Sequence, residues 1–116
     1  MDQTFDISER EDAAAPVVTV AGEIDVATAP SLRDRLQARV AGGDATIVVD
    51  LLQVSFLDST ALGVLVGALK RCREAGGDLR LVIAEPRILK VFEITGLTEV
   101  FSIHPTVEDA LGALPR

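Results

Sequence analysis

The sequence predicts an α/β protein: a mixed, mostly parallel β-sheet that starts with a β-hairpin and carries about four flanking helices. Three observations predict it. Strand-patterned and helix-patterned segments alternate along the chain, as right-handed βαβ crossovers require. Two strand segments, Ile47-Val48-Val49 and, apart from Arg80, Leu79 to Ala84, are apolar at successive positions, which marks strands covered by helices on both faces. Ala-Gly-Gly-Asp stands at 41–44 and again at 75–78, each time between a helix pattern and a strand pattern, where glycine ends helices.

The elements follow in order. Thr4-Phe5-Asp6-Ile7-Ser8 alternates polar and apolar residues, as a strand with one wet face does. Pro16 to Ala21 is a β-branched run near enough to pair with it antiparallel, the polar 9–15 stretch being the connection. Thr28-Ala29-Pro30 announces a first helix with a Thr cap and an early proline. Leu32, Leu36 and Val40 are its apolar stripe, and Gly42-Gly43 end it. A buried strand over 46–51 and a loop over 52–58 lead to a second helix over 59–75, also stopped by a glycine pair. At about 100° per residue its inward face holds Leu62, Leu65, Val66 and Leu69, leaving Thr60, Gly63, Val64, Gly67 and Arg71 outside. After the strand at 79–84, Pro86 opens a third helix with Leu89, Val91, Phe92 and Ile94 apolar, ended by Gly96. Val100 to Ile103 is a last strand, and 106–114 a last helix built on Val107, Ala110, Leu111 and Leu114.

Residues 1–116 fit one domain. Cys72 is the only cysteine, so no internal disulfide forms, and a reducing compartment suits the chain. The acidic start MDQTFDISERED has neither the basic nor the apolar region of a secretory signal. The uncharged run between Asp58 and Lys70 is shorter than the about 20 residues that span a membrane. The expectation is a cytoplasmic protein with no membrane contact. A net charge of −7 argues against nucleic acid, whose binding rests on neutralising phosphates. Basic residues are absent from Glu11 to Leu32 and from Val40 to Leu69, two gaps that hold Glu23, Asp25, Asp50 and Asp58. If the strands at 16–21, 46–51 and 79–84 run parallel, Asp25, the loop 52–58, Ser59 and the Glu85-Pro86 turn share the sheet edge where α/β proteins place their sites.

Enzyme chemistry finds little support. Ser59 lacks the flanking glycines of a nucleophile elbow. His104 is the lone histidine, beside Pro105, and reads as a surface turn residue. One His and one Cys cannot make a usual zinc site, and no phosphate loop is present, so no cofactor is expected. Asp50, at the end of the short strand, resembles a receiver-domain phosphoacceptor, but the acidic pair such a fold needs after its first strand is missing. Asp58-Ser59-Thr60 is more informative. Either Asp58 or Ser59 could cap the second helix for purely local reasons. Yet the first half of the helix's outward face carries small residues and no charge before Lys70. Gly63 and Gly67 could admit a neighbouring helix of the same chain, or they could floor a docking surface that begins at Ser59.

Phe56-Leu57-Asp58-Ser59-Thr60-Ala61-Leu62-Gly63-Val64-Leu65-Val66-Gly67 resembles the signature of the STAS-domain anti-sigma factor antagonists. Gly22-Glu23-Ile24-Asp25-Val26-Ala27-Thr28-Ala29-Pro30 resembles the family's upstream motif, and the likeness covers nearly the whole chain. It implies a STAS fold and a bacterial, non-enzymatic switch. The unphosphorylated form binds an anti-sigma factor serine kinase and frees a sigma factor. The kinase inactivates it by phosphorylating the serine after the aspartate, here Ser59, and a serine phosphatase resets it. The implied partner surface comprises Glu23, Asp25, Asp58, Ser59, Thr60, Gly63, Val64 and Gly67. Ala61 stands where many members have Gly. The alternative is a STAS-type regulatory subunit of a transporter ATPase, without phosphorylation.

Overall fold

The computed structural model describes residues 5–114. Its strands are β1 (Asp6–Arg10), β2 (Val17–Ile24), β3 (Ile47–Leu57), β4 (Leu79–Val82) and β5 (Ser102–His104), and its helices α1 (Ala29–Ala41), α2 (Ser59–Glu74), α3 (Pro86–Ile94) and α4 (Val107–Gly112). A 3-10 turn at Leu97–Glu99 links α3 to β5. The strands lie side by side in chain order, β1 antiparallel to β2 and every later pair parallel. This is the mixed, mostly parallel sheet with a hairpin start that the pattern predicts.

The two sheet faces are covered unequally. On one, α1, α2 and α3 bury Leu32, Leu36, Leu65, Leu69, Ile88 and Phe92 against Val18, Val20, Val49 and Leu81. Phe92 and Phe101 meet edge to face there, centroids 5.9 Å apart. On the other, α4 covers Val17, Val48 and Val82 with Ala110, Leu111 and Leu114.

The strands depart from the expected spans in an instructive way. β2 and β3 run on through 22–24 and 52–57, where a loop was expected, because each completes the other's ladder as far as Ile24 opposite Leu57. Glycine, glutamate and serine are poor strand formers, but paired backbone overrides propensity. Two register shifts interrupt this ladder. Such bulges add a residue to one strand and rotate those beyond it, so Leu51, Val54 and Leu57 all reach the helix side at a spacing of three. β1 lies at 6–10 rather than 4–8, Thr4 being outside the described residues. β5 starts at Ser102, since Val100 and Phe101 close the 3-10 turn onto Leu97.

The repeated Ala-Gly-Gly-Asp motif works differently at its two sites. α1 includes Ala41, so the second glycine, Gly43, takes the left-handed turn with φ 110°. α2 stops one residue earlier relative to the motif, and the first glycine, Gly76, takes it with φ 92°. Gly77 is then held for another reason: a Cβ there would lie 2.1 Å from the Ala45 carbonyl oxygen.

Packing of α2 is rotated from the predicted face. Ala61, Leu65, Ala68, Leu69 and Cys72 are fully buried, whereas Leu62, Val64 and Val66 are only partly so. The two small alanines let the helix settle close to its neighbours, which turns Leu62 and Val66 toward the flanks. Burial first, then nearby Asp78, pushes the Cys72 thiol up to about 11, which keeps it an uncharged core group.

Candidate functional site

The site is built on the ribbon of β2 and β3 that outruns the rest of the sheet. The β3–β4 ladder ends at Asp50 opposite Val82, while β3 continues to Leu57. The Glu85-Pro86 turn is therefore set back along β3 and does not join Ser59, contrary to the expectation that all the parallel strands end at one level. What the ribbon does bring together is Asp25 and Ser59. The ladder closes at Ile24 and Leu57, and the Asp58 N–H donates to the Ile24 carbonyl at 3.2 Å.

Asp58 is the α2 cap. Its backbone is extended and its Oδ1 accepts from the Ala61 N–H at 3.0 Å. Ser59 is thus the first helical residue, exposed, and its hydroxyl makes no hydrogen bond among the described residues. The ambiguity between Asp58 and Ser59 is resolved: the aspartate caps and the serine is released from that duty. Helix geometry also leaves the Ser59 and Thr60 amides without intrahelical acceptors, so an anion on Ser59 would meet a favourable helix end.

Asp25 has a local structural role. Its Oδ1 accepts from the Ala27 N–H at 2.9 Å and the Thr28 N–H at 3.1 Å, and lies 3.3 Å from the Thr28 Oγ1. The Thr28 Oγ1 in turn donates to the Glu23 carbonyl and accepts from the Asp25 N–H, both at 2.9 Å. Thr28 occupies the cap position of α1 but bonds backward into this turn instead of capping the helix. Glu23 is exposed beside it, so Glu23, Asp25 and Asp58 rim the site with carboxylates, and none of the three makes an ion pair among the described residues.

The α2 surface beyond Ser59 is open. Ser59, Gly63 and Gly67 recur every four residues and so lie along one line of the helix. A Cβ on Gly63 would meet nothing within 4 Å, and one on Gly67 would meet only the Arg71 Nη1 of the same helix. No other helix among the described residues comes within 4 Å of a Cβ at Gly63 or Gly67. Thr60 is exposed with Ser59, whereas Val64 is partly buried against the core. Two features escaped the sequence reading: Val26 in the Asp25 turn is 72% exposed, and Phe56, cross-strand from Glu23, is 48% exposed. Phe56 could have been found only by knowing that a bulge precedes it.

Two further candidates change character. Asp50 lies mid-strand in β3, nearly buried, accepting from the Thr19 hydroxyl and the Leu52 N–H. It serves the bulge and is not at the sheet edge, so it lacks a receiver acceptor's position. His104 is the half-buried last residue of β5 rather than a turn residue, with its Nε2 3.2 Å from Arg80 Nη1. Burial, then Arg80, lowers its pKa against the opposing pull of Asp109. Among the described residues no cluster of His, Cys, Asp and Glu is arranged to hold a metal, and no helix is long and apolar enough to cross a membrane.

The site thus presents a hydroxyl freed from capping, an acidic rim and an open strip of helix backbone. The chain matches the STAS domain over residues 5–110 and belongs to that family, among its anti-sigma factor antagonists; it is not an enzyme. It is 42% identical over 91 residues to an anti-sigma-B factor antagonist of Bacillus subtilis, covering 78% of this chain and 83% of that one. Identity to the protein of that name from Listeria monocytogenes is 38%, covering 89% and 90%. An anti-sigma factor antagonist structure from Mycobacterium paratuberculosis superposes with a TM-score of 0.88 at 32% identity, covering 96% and 94%.

Proposed function

We propose that this chain is a cytoplasmic anti-sigma factor antagonist that works by partner switching. Unphosphorylated, it binds an anti-sigma factor serine kinase through the Ser59 edge and the Gly63–Gly67 strip, and a sigma factor is released. The kinase then phosphorylates Ser59, the complex dissociates, and a serine phosphatase restores the starting form. The observation that carries this reading is the exposed Ser59 hydroxyl, with capping assigned to Asp58.

The physics of the switch follows from that placement. Phosphate adds about −1.5 to −2 charges at a helix end that favours an anion by roughly 0.3–1 kcal/mol. The modified protein therefore stays folded. Beside Glu23, Asp25 and Asp58 the added charge acts outward, where a mismatched charge at an interface costs several kcal/mol. The interface term wins. Val26 and Phe56 are the apolar anchors available beside it.

Incubation with the kinase and ATP, followed by phosphosite mapping, tests the reading. One phosphate on Ser59, none on Ser59→Ala, and binding weakened tenfold or more in Ser59→Asp are expected. A phosphate elsewhere, or Ser59→Asp binding as tightly as the unmodified protein, would overturn it. Recovery of a transporter ATPase in place of a kinase would favour a regulatory-subunit role.

A further inference from the structure

The outer edge of β1 has no strand beside it among the described residues. Its five residues, Asp6-Ile7-Ser8-Glu9-Arg10, carry opposite charges at their two ends, Asp6 and Arg10. Ile7 packs toward the α1 face, and Glu9 binds Arg35 and Arg39 of that helix. Asp6, Ser8 and Arg10 alternate with them on the opposite face and are exposed. Asp6 and Arg10 make no ion pair among the described residues, because their β2 partners are the uncharged Ala21 and Val17.

We propose that β1 is the interface of a two-fold symmetric homodimer, in which the β1 strands of two copies pair antiparallel about Ser8 and join the two sheets into one. In this register Asp6 of each copy faces Arg10 of the other, giving two opposite-charge pairs to residues that have none within one protomer. Ser8 faces its own counterpart. Ile7 faces the stem of Glu9, which is already neutralised by its two arginines. Moving the register by two residues one way sets Asp6 opposite Asp12, and moving it the other way leaves Asp6 opposite Ser8. Neither alternative keeps the charge pairs. The arrangement is isologous, so each edge satisfies the other and assembly stops at two.

Charged residues on an edge strand ordinarily keep other strands away. Here their order makes the second copy the exception. A pair of short strands buries less than the roughly 1,200 Å² of a standard interface, so the dimer is reversible and forms in the micromolar to submillimolar range. β2 separates β1 from β3, so the dimer leaves both Ser59 edges uncovered, facing opposite ways. The inference stands independently of what binds there.

Sedimentation equilibrium of the full chain over that concentration range tests it. The unmodified protein should show a monomer–dimer equilibrium that weakens with salt. Asp6→Arg and Arg10→Asp each place like charges opposite one another twice and should each weaken association about tenfold or more. Mixing the two variants restores both attractive pairs, so a heterodimer should form from two monomeric stocks, and the double variant D6R/R10D should dimerise again. Both sites are exposed, and circular dichroism melting should confirm that the variants fold. A protein monomeric throughout, higher oligomers, or association indifferent to the substitutions would overturn the proposal.

Discussion

The Asp58 N–H donates to the Ile24 carbonyl at 3.2 Å, locking the entry to α2 onto the end of β2. Asp58 then spends its carboxylate on the Ala61 N–H. One residue thus fixes both where α2 begins and how it is oriented, leaving its neighbour Ser59 without a structural task. Asp58→Ala should accordingly lower stability by about 1 kcal/mol, the usual worth of a cap, and Asp58→Asn should lower it little. Ser59→Ala should change it by no more than about 0.5 kcal/mol. Chemical denaturation of the three variants checks this, and a full cap-sized loss in Ser59→Ala would reverse the assignment.

Asp25 serves the turn through Oδ1 alone. Asparagine supplies the same acceptor without the charge. Asp25→Ala should therefore destabilise by about 1–2 kcal/mol, the cost of leaving its donors unpaired, and weaken partner binding with it. Asp25→Asn should keep the melting temperature near that of the parent. Calorimetric titration with the kinase then reads the charge separately: weakened binding by the Asn variant assigns the carboxylate to the interface, and unchanged binding confines it to the turn.

Two glycines should respond in opposite ways. At Gly77 a Cβ would sit 2.1 Å from the Ala45 oxygen and 2.5 Å from the Thr46 Oγ1. Gly77→Ala must push the α2–β4 junction off β3 and should cost about 3 kcal/mol or more. At Gly63, with nothing within 4 Å, alanine should stabilise α2 by up to about 1 kcal/mol. Gly63→Leu should remain folded yet bind the kinase poorly. Thermal melts and binding isotherms on the same preparations check both halves.

Glu9 gives the fold an acid-sensitive fastening. Burial pushes its pKa up, but its bonds to Arg39 and Arg35 outweigh this and leave it lowered. A carboxyl whose folded pKa is depressed contributes stability above its unfolded value, near 4.3, and loses it as pH falls through the folded value. The melting temperature of the parent should therefore drop more steeply than that of Glu9→Gln as pH is taken from about 5 downward. Parallel curves would show that Glu9 contributes nothing to the acid response.

Most of the architecture was legible in the sequence. The apolar run at 47–49, the one at 79–84 broken only by Arg80, the prolines at 30 and 86 and the glycine stops were enough for element order and sheet type. Less legible was anything decided by pairing rather than by local preference. Gly22-Glu23 and Ser55 lie in strands only because Ile24 and Leu57 close the ladder beyond them. Two bulges then convert an alternating strand into one that buries every third residue, a pattern that imitates a helix. The face of α2 was misjudged for a related reason: a wheel ranks residues by hydrophobicity, whereas packing chose Ala61 and Ala68 for their small size. The Asp-Ser-Thr phrase was visible from the outset, but the division of labour within it needed the cap geometry.

Among the described residues the sheet is five strands wide at Asp50 and two at Leu57. Opening the Ile24–Leu57 end breaks few contacts, whereas opening the Val49 level requires the whole fold to come apart. Amide hydrogens of Glu23, Ile24, Phe56 and Leu57 should therefore exchange with solvent well before those of Val48 and Val49, through local fraying rather than global unfolding. A tapered sheet leaves the tip that carries Ser59 free to open while the core that holds the molecule together stays shut.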